Sequence, residues 1–452
     1  MIHLAIAIFG ILVTIFFVIG THEAAHFMAA RLFGVKVLKF SIGFGKTLFR
    51  FRDKHHTEYV FALIPLGGYV QMLDENEGKV PKNQLHLAYN RQPFYKKFLI
   101  VLAGPAMNIF CALVLYWLVF TIGFTTIKPI IGEVAPRSIA AEADLKPNQE
   151  ITHVDGKATL TWTSILFRLI AHAGNNDKLV IEVKNPGNTQ SETRVLDLSN
   201  WHLDELKPDP LKALGIEPFL PHVPLVVDTI QKKSPASLSK LQLGDEILAI
   251  NKKSIKDWDE LILIIYNNPD KTLFFTIKRD HKTLNIPVTT GYERTLTFKK
   301  YGYLGIAPTF EWPKEMLHKI QYGPLAAIPH AWRQVIDLTY LNLLLFGKVI
   351  TGKISLQSLG GPVSIFENAS EALNYGALAF ISFLAFLSIS IGVINLLPIP
   401  GLDGGHLFIQ IIEFIMRRPV PEKFILLLYR LGLILLVLVL IQALANDILR
   451  MF

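Results

Sequence analysis

The sequence predicts a multi-pass α-helical membrane protein. It would have four transmembrane helices, a membrane-associated β-hairpin sheet after the first, and two β-rich repeats between the second and third. Three observations lead there. Apolar residues make up 51% of the 452-residue chain and the mean hydropathy is +0.37, too high for an ordinary soluble protein. Four stretches, roughly 2–33, 98–124, 377–397 and 424–445, are long and apolar enough to cross a bilayer. Between the second and third, one pattern of short segments and turns is given twice.

The first stretch (region 1–33) closes on Thr21-His22-Glu23-Ala24-Ala25-His26. His22 and His26 are four apart, so on a helix both imidazoles project from one face, one turn from each other. Two neutral nitrogens so placed suit one metal, and zinc is the metal this set favours. Glu23, next to the first ligand, puts a carboxylate where it can take a proton from water at the metal. A polar helix end reaching the membrane surface would use similar residues, but three ionisable groups on a span are costly and mark function. Small residues follow at Ala24, Ala25, Ala29 and Ala30, as at a signal-peptide cleavage site. No basic segment precedes the apolar run, and cleavage would discard the His-Glu-His group, so the run reads as a retained span.

Region 34–97 begins with Leu38, Phe40, Ile42 and Phe44 alternating with Lys39, Ser41 and Gly43, a strand pattern. Phe49 and Phe51 alternate with Arg50 and Arg52, residues 53–56 make a polar turn, and residues 57–70 resume as an apolar strand broken by Pro65 and Gly67-Gly68. Such a sheet is apolar enough to dip into the bilayer against protein, or to lie on its surface. Tyr59, Phe61, Leu63, Ile64, Gly67 and Gly68 would then offer an unpaired edge to an extended substrate. Residues 74–85 read as a mobile polar loop, and His55, His56 and His86 as solvated. The second span (98–126) carries Ala103-Gly104-Pro105 and Asn108, which read as packing residues, with Asn108 able to bond across to a neighbour. Its Cys111 is the only cysteine, which excludes an intrachain disulfide and a Cys-rich metal site.

Each repeat, 127–221 and 222–311, ends alike: Leu214-Gly215-Ile216 in one and Leu304-Gly305-Ile306 in the other. Leu145-Lys146-Pro147-Asn148-Gln149-Glu150-Ile151 in the first corresponds to Leu241-Gln242-Leu243-Gly244-Asp245-Glu246-Ile247 in the second. The segment resembles tandem PDZ domains in circularly permuted order, its Leu-Gly-Ile stretches matching the carboxylate-binding loop. The Gly would let backbone amides approach a peptide terminus. The alternative is a steric lid that binds no peptide. Region 312–375 holds an amphipathic helix over 324–350 on the outer face, a turn at 358–362 and a short helix from Pro362. The third span (376–406) ends in Asn395-Leu396-Leu397-Pro398-Ile399-Pro400-Gly401-Leu402-Asp403-Gly404-Gly405-His406, where two prolines break the helix beside an acid at membrane depth. Asp403 is the best third ligand, with His406 competing and Glu413 an outsider. Region 407–452 is the fourth span.

The formal charge of +8 invites a nucleic-acid partner, but no dense basic tract supports one. The basic residues cluster instead at membrane loops: Arg31 to Lys54 after the first span, Lys96 and Lys97 before the second, and Arg417, Arg418 and Lys423 before the fourth. The positive-inside rule makes these loops cytoplasmic, and both termini and the repeats external.

The paired motifs and the intervening repeats together resemble the site-2 protease family of intramembrane zinc metalloproteases, in its Gram-negative inner-membrane form, over essentially the full chain. The resemblance implies one zinc per chain on His22, His26 and Asp403, Glu23 as catalytic glutamate and Asn395 as substrate-positioning residue. It also implies a reentrant hairpin over 35–70. The implied partners are the lipid bilayer and single-span membrane proteins, including an anti-sigma factor already trimmed outside and remnant signal peptides. A membrane-anchored PDZ adaptor would not need Glu23, and a metal transporter would not need the repeats.

Overall fold

The computed structural model describes residues 2–450 except 77, 176, 189, 204–208, 222, 295–299, 309, 311 and 359. Residues 222 and 311, which bound the second expected repeat, and Leu359 in the expected 358–362 turn, lie outside the described residues. Among those described, four helices are long and apolar enough to span a membrane, over Gly10–Leu32, Phe94–Ile122, Ala377–Leu396 and Lys423–Leu449. The first belongs to α1 (Ile2–Leu32) and the second is α2 (Phe94–Ile122). Lipid tails are as apolar as Leu, so close approach at small residues does the packing work. Ala112, Ala331 and Ala385 are fully buried in one cluster of α2, the helix Pro324–Ile350 and the third span. A Cβ on Gly392 would stand 3.2 Å from Asn108 Cβ, so the third span lies tight against α2. Asn108 packs as the sequence suggests without the cross-helix bond it could make: its amide is buried with no partner among the described residues.

Strands β1 (Val37–Arg52) and β2 (Glu58–Met72) each pair twice. Residues Phe40, Ser41 and Ile42 face Val70, Tyr69 and Gly68 on one side and Tyr59, Val60 and Phe61 on the other. Tyr59, Val60 and Phe61 in turn also face Phe51, Arg50 and Phe49. The sheet therefore reads as four segments in the order 68–72, 37–44, 58–62, 47–52. The second strand is interrupted at Pro65 and Gly67-Gly68 as expected: 58–62 runs alongside 37–44 in the same direction and 68–72 returns on its other side, while β1 folds back where Gly43 takes φ 91° and Gly45 φ 82°. One expectation is corrected. Tyr59 and Phe61 are no edge: they are paired on both sides, and among the described residues the outer segments of the sheet are 68–72 and 47–52. The loop expected over 74–85 is partly ordered, with a 3₁₀ turn at Lys82–Leu87 and Glu75 bonded to Arg91.

The two β-rich repeats share one topology. Each has a four-stranded antiparallel sheet. Its order is Lys157–Ala158, Glu150–Val154, Lys178–Lys184, Ser191–Asp197 in the first repeat. In the second it is Lys253–Ser254, Glu246–Ile250, Thr272–Arg279, Lys282–Thr289. Each also has one matching helix, Trp162–His172 or Trp258–Tyr266. The swap of Asn148-Gln149 for Gly244-Asp245 preserves the turn. Asn148 takes φ 67° and Gly244 φ 87°, Gln149 Oε1 accepts from Lys146 N at 2.9 Å, and Asp245 Oδ2 accepts from Gln242 N at 2.8 Å. The ion pair of Asp245 with Arg279 is replaced by an amide pair of Gln149 with Asn185. A two-stranded stem, Phe124–Ile127 against Leu317–Ile320, carries both repeats above the helices.

The first repeat is docked on the helices. Lys348 donates to the carbonyls of Ala171 and Ala173 at the end of the helix Trp162–His172, and Phe167 stacks on Phe386 of the third span with ring centroids 6.2 Å apart. After the third span comes a helix the sequence reading merged into its neighbours, Asp403–Met416. The C-terminal helix Glu422–Arg450 is exposed along most of its length. It is held at its end by Asp447, whose carboxylate accepts from Gly361 N and Val363 N at 2.9 Å each. That carboxylate caps the helix Pro362–Asn374, whose own N-cap is Gly361 and has no side chain to offer.

Candidate metal centre

The helical spacing of His22 and His26 sets their Nε2 atoms 3.2 Å apart, both rings buried. The break after the third span brings in Asp403. Gly404 and Gly405 lie so close to the backbone of Leu396, Leu397 and Ile399 that any Cβ there would collide with it. Asp403 thereby opens its short helix, an acid in the first turn where the helix dipole favours it. Its Oδ2 stands 3.1 Å from His22 Nε2 and 3.3 Å from His26 Nε2.

The donor set suits this triangle to a cation. His26 Nδ1 donates to the Ile100 carbonyl at 2.8 Å, which leaves a lone pair on Nε2. Asp403 Oδ2 is buried without a hydrogen-bond donor. Two imidazole nitrogens and a carboxylate oxygen thus converge on one point, a donor set suited to a metal cation. A tetrahedral zinc with ligands at about 2.0–2.1 Å holds its ligand atoms about 3.3 Å apart, the spacing found here. Among the described residues His22, His26 and Asp403 are the group able to hold a metal.

Glu23 is buried at the same level on the neighbouring helical face. A Cβ built on Gly68 would stand 2.7 Å from Glu23 Cγ and 2.7 Å from the Ser41 carbonyl, so the 68–72 edge passes directly by the Glu23 side chain. His406 is turned away, its Nδ1 2.9 Å from Tyr429 OH. Glu413 faces Lys97 at 4.0 Å. Asn395 is half-buried in the last turn of the third span and makes no hydrogen bond among the described residues. Leu63 and Ile64 are exposed at the sheet tip, away from the paired centre of the sheet.

In the repeats, Leu214, Ile216 and Leu304 are buried. Gly215 at φ 81° and Gly305 at φ 78° accept through their carbonyls from Ala135 N and Gln231 N. The second repeat has an open groove of about 510 Å³ between its helix, at Trp258, Ile262 and Tyr266, and the stretch Gly305 to Ala307.

Sequence reading missed Gly104 and Ile100. A Cβ on Gly104 would collide with the His26 ring and stand 2.8 Å from His22 Cε1, so only glycine lets α2 approach the two imidazoles. The small-residue run at 103–106 was the available signal. The Ile100 carbonyl has none, since every residue carries one.

The profile of peptidase family M50 matches residues 10–439. The chain is 38% identical over 443 residues to a regulator of sigma-E protease RseP of Salmonella typhimurium, covering 98% of this chain and 97% of that one. It is 39% identical, with the same coverage, to the protein of that name in Escherichia coli K12. A Vibrio cholerae protein named as a zinc metalloprotease is 37% identical over 437 residues, 96% of each chain. With three metal-ligand side chains gathered on one point, the matches agree: the chain belongs to peptidase family M50 and is a zinc metalloprotease of the site-2 type.

Proposed function

We propose that this protease hydrolyses peptide bonds within the membrane-spanning segments of single-span proteins. The observation that carries the reading is the convergence of His22, His26 and Asp403 on a membrane helix with Glu23 beside them. The names of its relatives point to the sigma-E response, so an anti-sigma factor already trimmed outside is the favoured substrate, with remnant signal peptides as further ones. The basic loops support a centre near the cytoplasmic side of the inner membrane, with both termini and the repeats in the periplasm.

His22, His26 and Asp403 would hold the zinc, with the Ile100 carbonyl fixing the His26 tautomer. Zinc, when bound, polarises the scissile carbonyl and acidifies water. Glu23 accepts the proton of the attacking water on its carboxylate, keeps it in a buried site, and returns it to the leaving amine. A spanning helix keeps its carbonyls in hydrogen bonds, so the substrate must open before attack. The outer segment that starts at Gly68 offers replacement bonds to an extended substrate lying beside Glu23, and Asn395 would hold the same substrate segment from the third span. The tandem repeats, PDZ-type in this reading, stand above the helices and exclude substrates with a folded outer domain. The groove of the second is suited to an apolar peptide end at Leu304, Gly305 and Ile306.

Glu23→Gln tests the chemistry. It should keep one zinc per chain and lose at least about a hundredfold in cleavage of a single-span reporter. Cleavage at the wild-type rate would remove Glu23 from the mechanism. Strand addition is tested on the substrate: backbone esters at alternate positions delete single amide donors, and should slow cleavage at every second position only.

A further inference from the structure

Helix α1 carries a second functional face beside the one that holds the metal ligands. Glu23, Phe27 and Arg31 follow each other at intervals of four, so they line one side of the helix. All three meet the sheet. Glu23 lies against Gly68. The Phe27 ring centroid is 5.6 Å from that of Phe40 and 5.8 Å from that of Tyr59. Arg31 donates to Asp53 and, at 3.0 Å, to Thr57 Oγ1, with its guanidinium carbon 4.3 Å over the Phe27 ring. Its partners gather the base of the sheet. Asp53 Oδ1 accepts from His55 N and Thr57 N at 2.9 Å each. Tyr59 OH reaches Asp53 Oδ2 at 3.3 Å, and Thr57 Oγ1 donates to the Val37 carbonyl at 2.9 Å. One guanidinium thus ties together the turn between the strands, the start of β1 and the helix that carries Glu23.

We propose that Arg31 is a positioning residue for proteolysis: it clamps the sheet to α1 at the height that sets the 68–72 edge opposite Glu23. The proposal rests on the strand-addition reading above. Arg31 lies about 12 Å along the helix from Glu23, two rigid turns below it. A residue on a strand rises about 3.3 Å, so a slip of that size brings the neighbouring substrate carbonyl to the catalytic group and turns the opposite side chains toward it. A basic residue serving only as a cytoplasmic anchor needs charge alone. Arg31 donates to both Asp53 and Thr57 from Nη2 while its planar guanidinium lies over the Phe27 ring, a combination of bonding and stacking that Lys does not reproduce.

The test uses the full chain in bilayer discs with a single-span reporter. Zinc content, kcat, KM and the cut position by mass spectrometry are read for wild type, Arg31→Lys and Asp53→Asn. Both variants should keep one zinc per chain, hold KM within about twofold, lose about tenfold or more in kcat, and spread the cut over neighbouring bonds. A cut confined to the wild-type bond in both variants overturns the proposal, whether or not the rate falls. Loss of zinc in Arg31→Lys overturns it as well, since the role is then structural. Wild-type cleavage insensitive to backbone esters sinks strand addition itself. That outcome is separate from failure of the Arg31 clamp, which would leave ester sensitivity intact.

Discussion

At the scale of single residues, the centre depends on two glycines as much as on its charged groups. Gly104 lets α2 close on the imidazoles, and Gly68 lets the sheet edge close on Glu23. Their substitutions should separate cleanly. Gly104→Ala pushes on the His22 and His26 rings and should weaken zinc affinity by about 10–100-fold, the cost typical of disturbing ligand support. Gly68→Ala should leave zinc bound while displacing Glu23, so cleavage falls and metal content does not. Asp403→Ala should lose zinc, whereas His406→Ala should retain it, since His406 bonds Tyr429 and not the triangle. Equal zinc loss in both would contradict the geometry. Asp53 adds a pH signature. Burial pushes its carboxyl up, but Arg31 and the Thr57 and His55 amides outweigh this and hold it at about 2. A lowered carboxylate pKa stabilises the fold above its ordinary value and loses that contribution as pH falls. Thermal stability should therefore drop from about pH 4 toward pH 2, and Asp53→Asn should lack that part of the drop.

At the scale of elements, what matters is which faces are held and which are free. The helix Pro324–Ile350 grips the first repeat through Lys348, which supplies donors to two carbonyls that the end of the helix Trp162–His172 leaves unpaired. Asp337 adds contacts to Lys157 at 3.6 Å and to Arg168 at 3.7 Å, but exposed pairs of this kind contribute little. Lys348→Met should cost about 1.5–3 kcal/mol per lost charged bond and free the first repeat. The change is measurable as faster proteolysis of residues 174–177, with the melting of the repeat itself unaltered. Unchanged protection there would mean that the Phe167 stack on Phe386 suffices. The second repeat leaves Ile262, Leu263 and Tyr266 exposed on its helix.

At the scale of the whole molecule, both repeats hang from one narrow stem. Ile127 pairs with Leu317, so residues 128–316 can be removed and the strands rejoined as a hairpin without cutting a membrane helix. The shortened protein should keep zinc and cleave substrates that still carry a folded outer domain, while the intact protein should reject them. If it rejects them too, selection by size lies in the helix Pro324–Ile350 or below it.

How much was legible follows from how local each signal is. His22, Glu23 and His26 share one helix turn, so their placement follows from periodicity alone, as do the four spans and the amphipathic helix. The repeat was legible because it is written twice. Asp403 is separated from the histidines by most of the chain. Its sequence signal was an acid beside two prolines at membrane depth, and the contact itself is made only by the packing of Gly404 and Gly405 on the preceding turn. The sheet shows the limit most plainly. Alternation marked the right residues as strand, but it is silent on partners, and Tyr59 alternates in the same way at an edge or in the middle. Only the fold-back of β1 decided that 58–62 is interior and that 68–72 faces Glu23. Pairing, like the roles of Gly104 and the Ile100 carbonyl, is a relation between distant segments, and such relations exist only once the chain is packed.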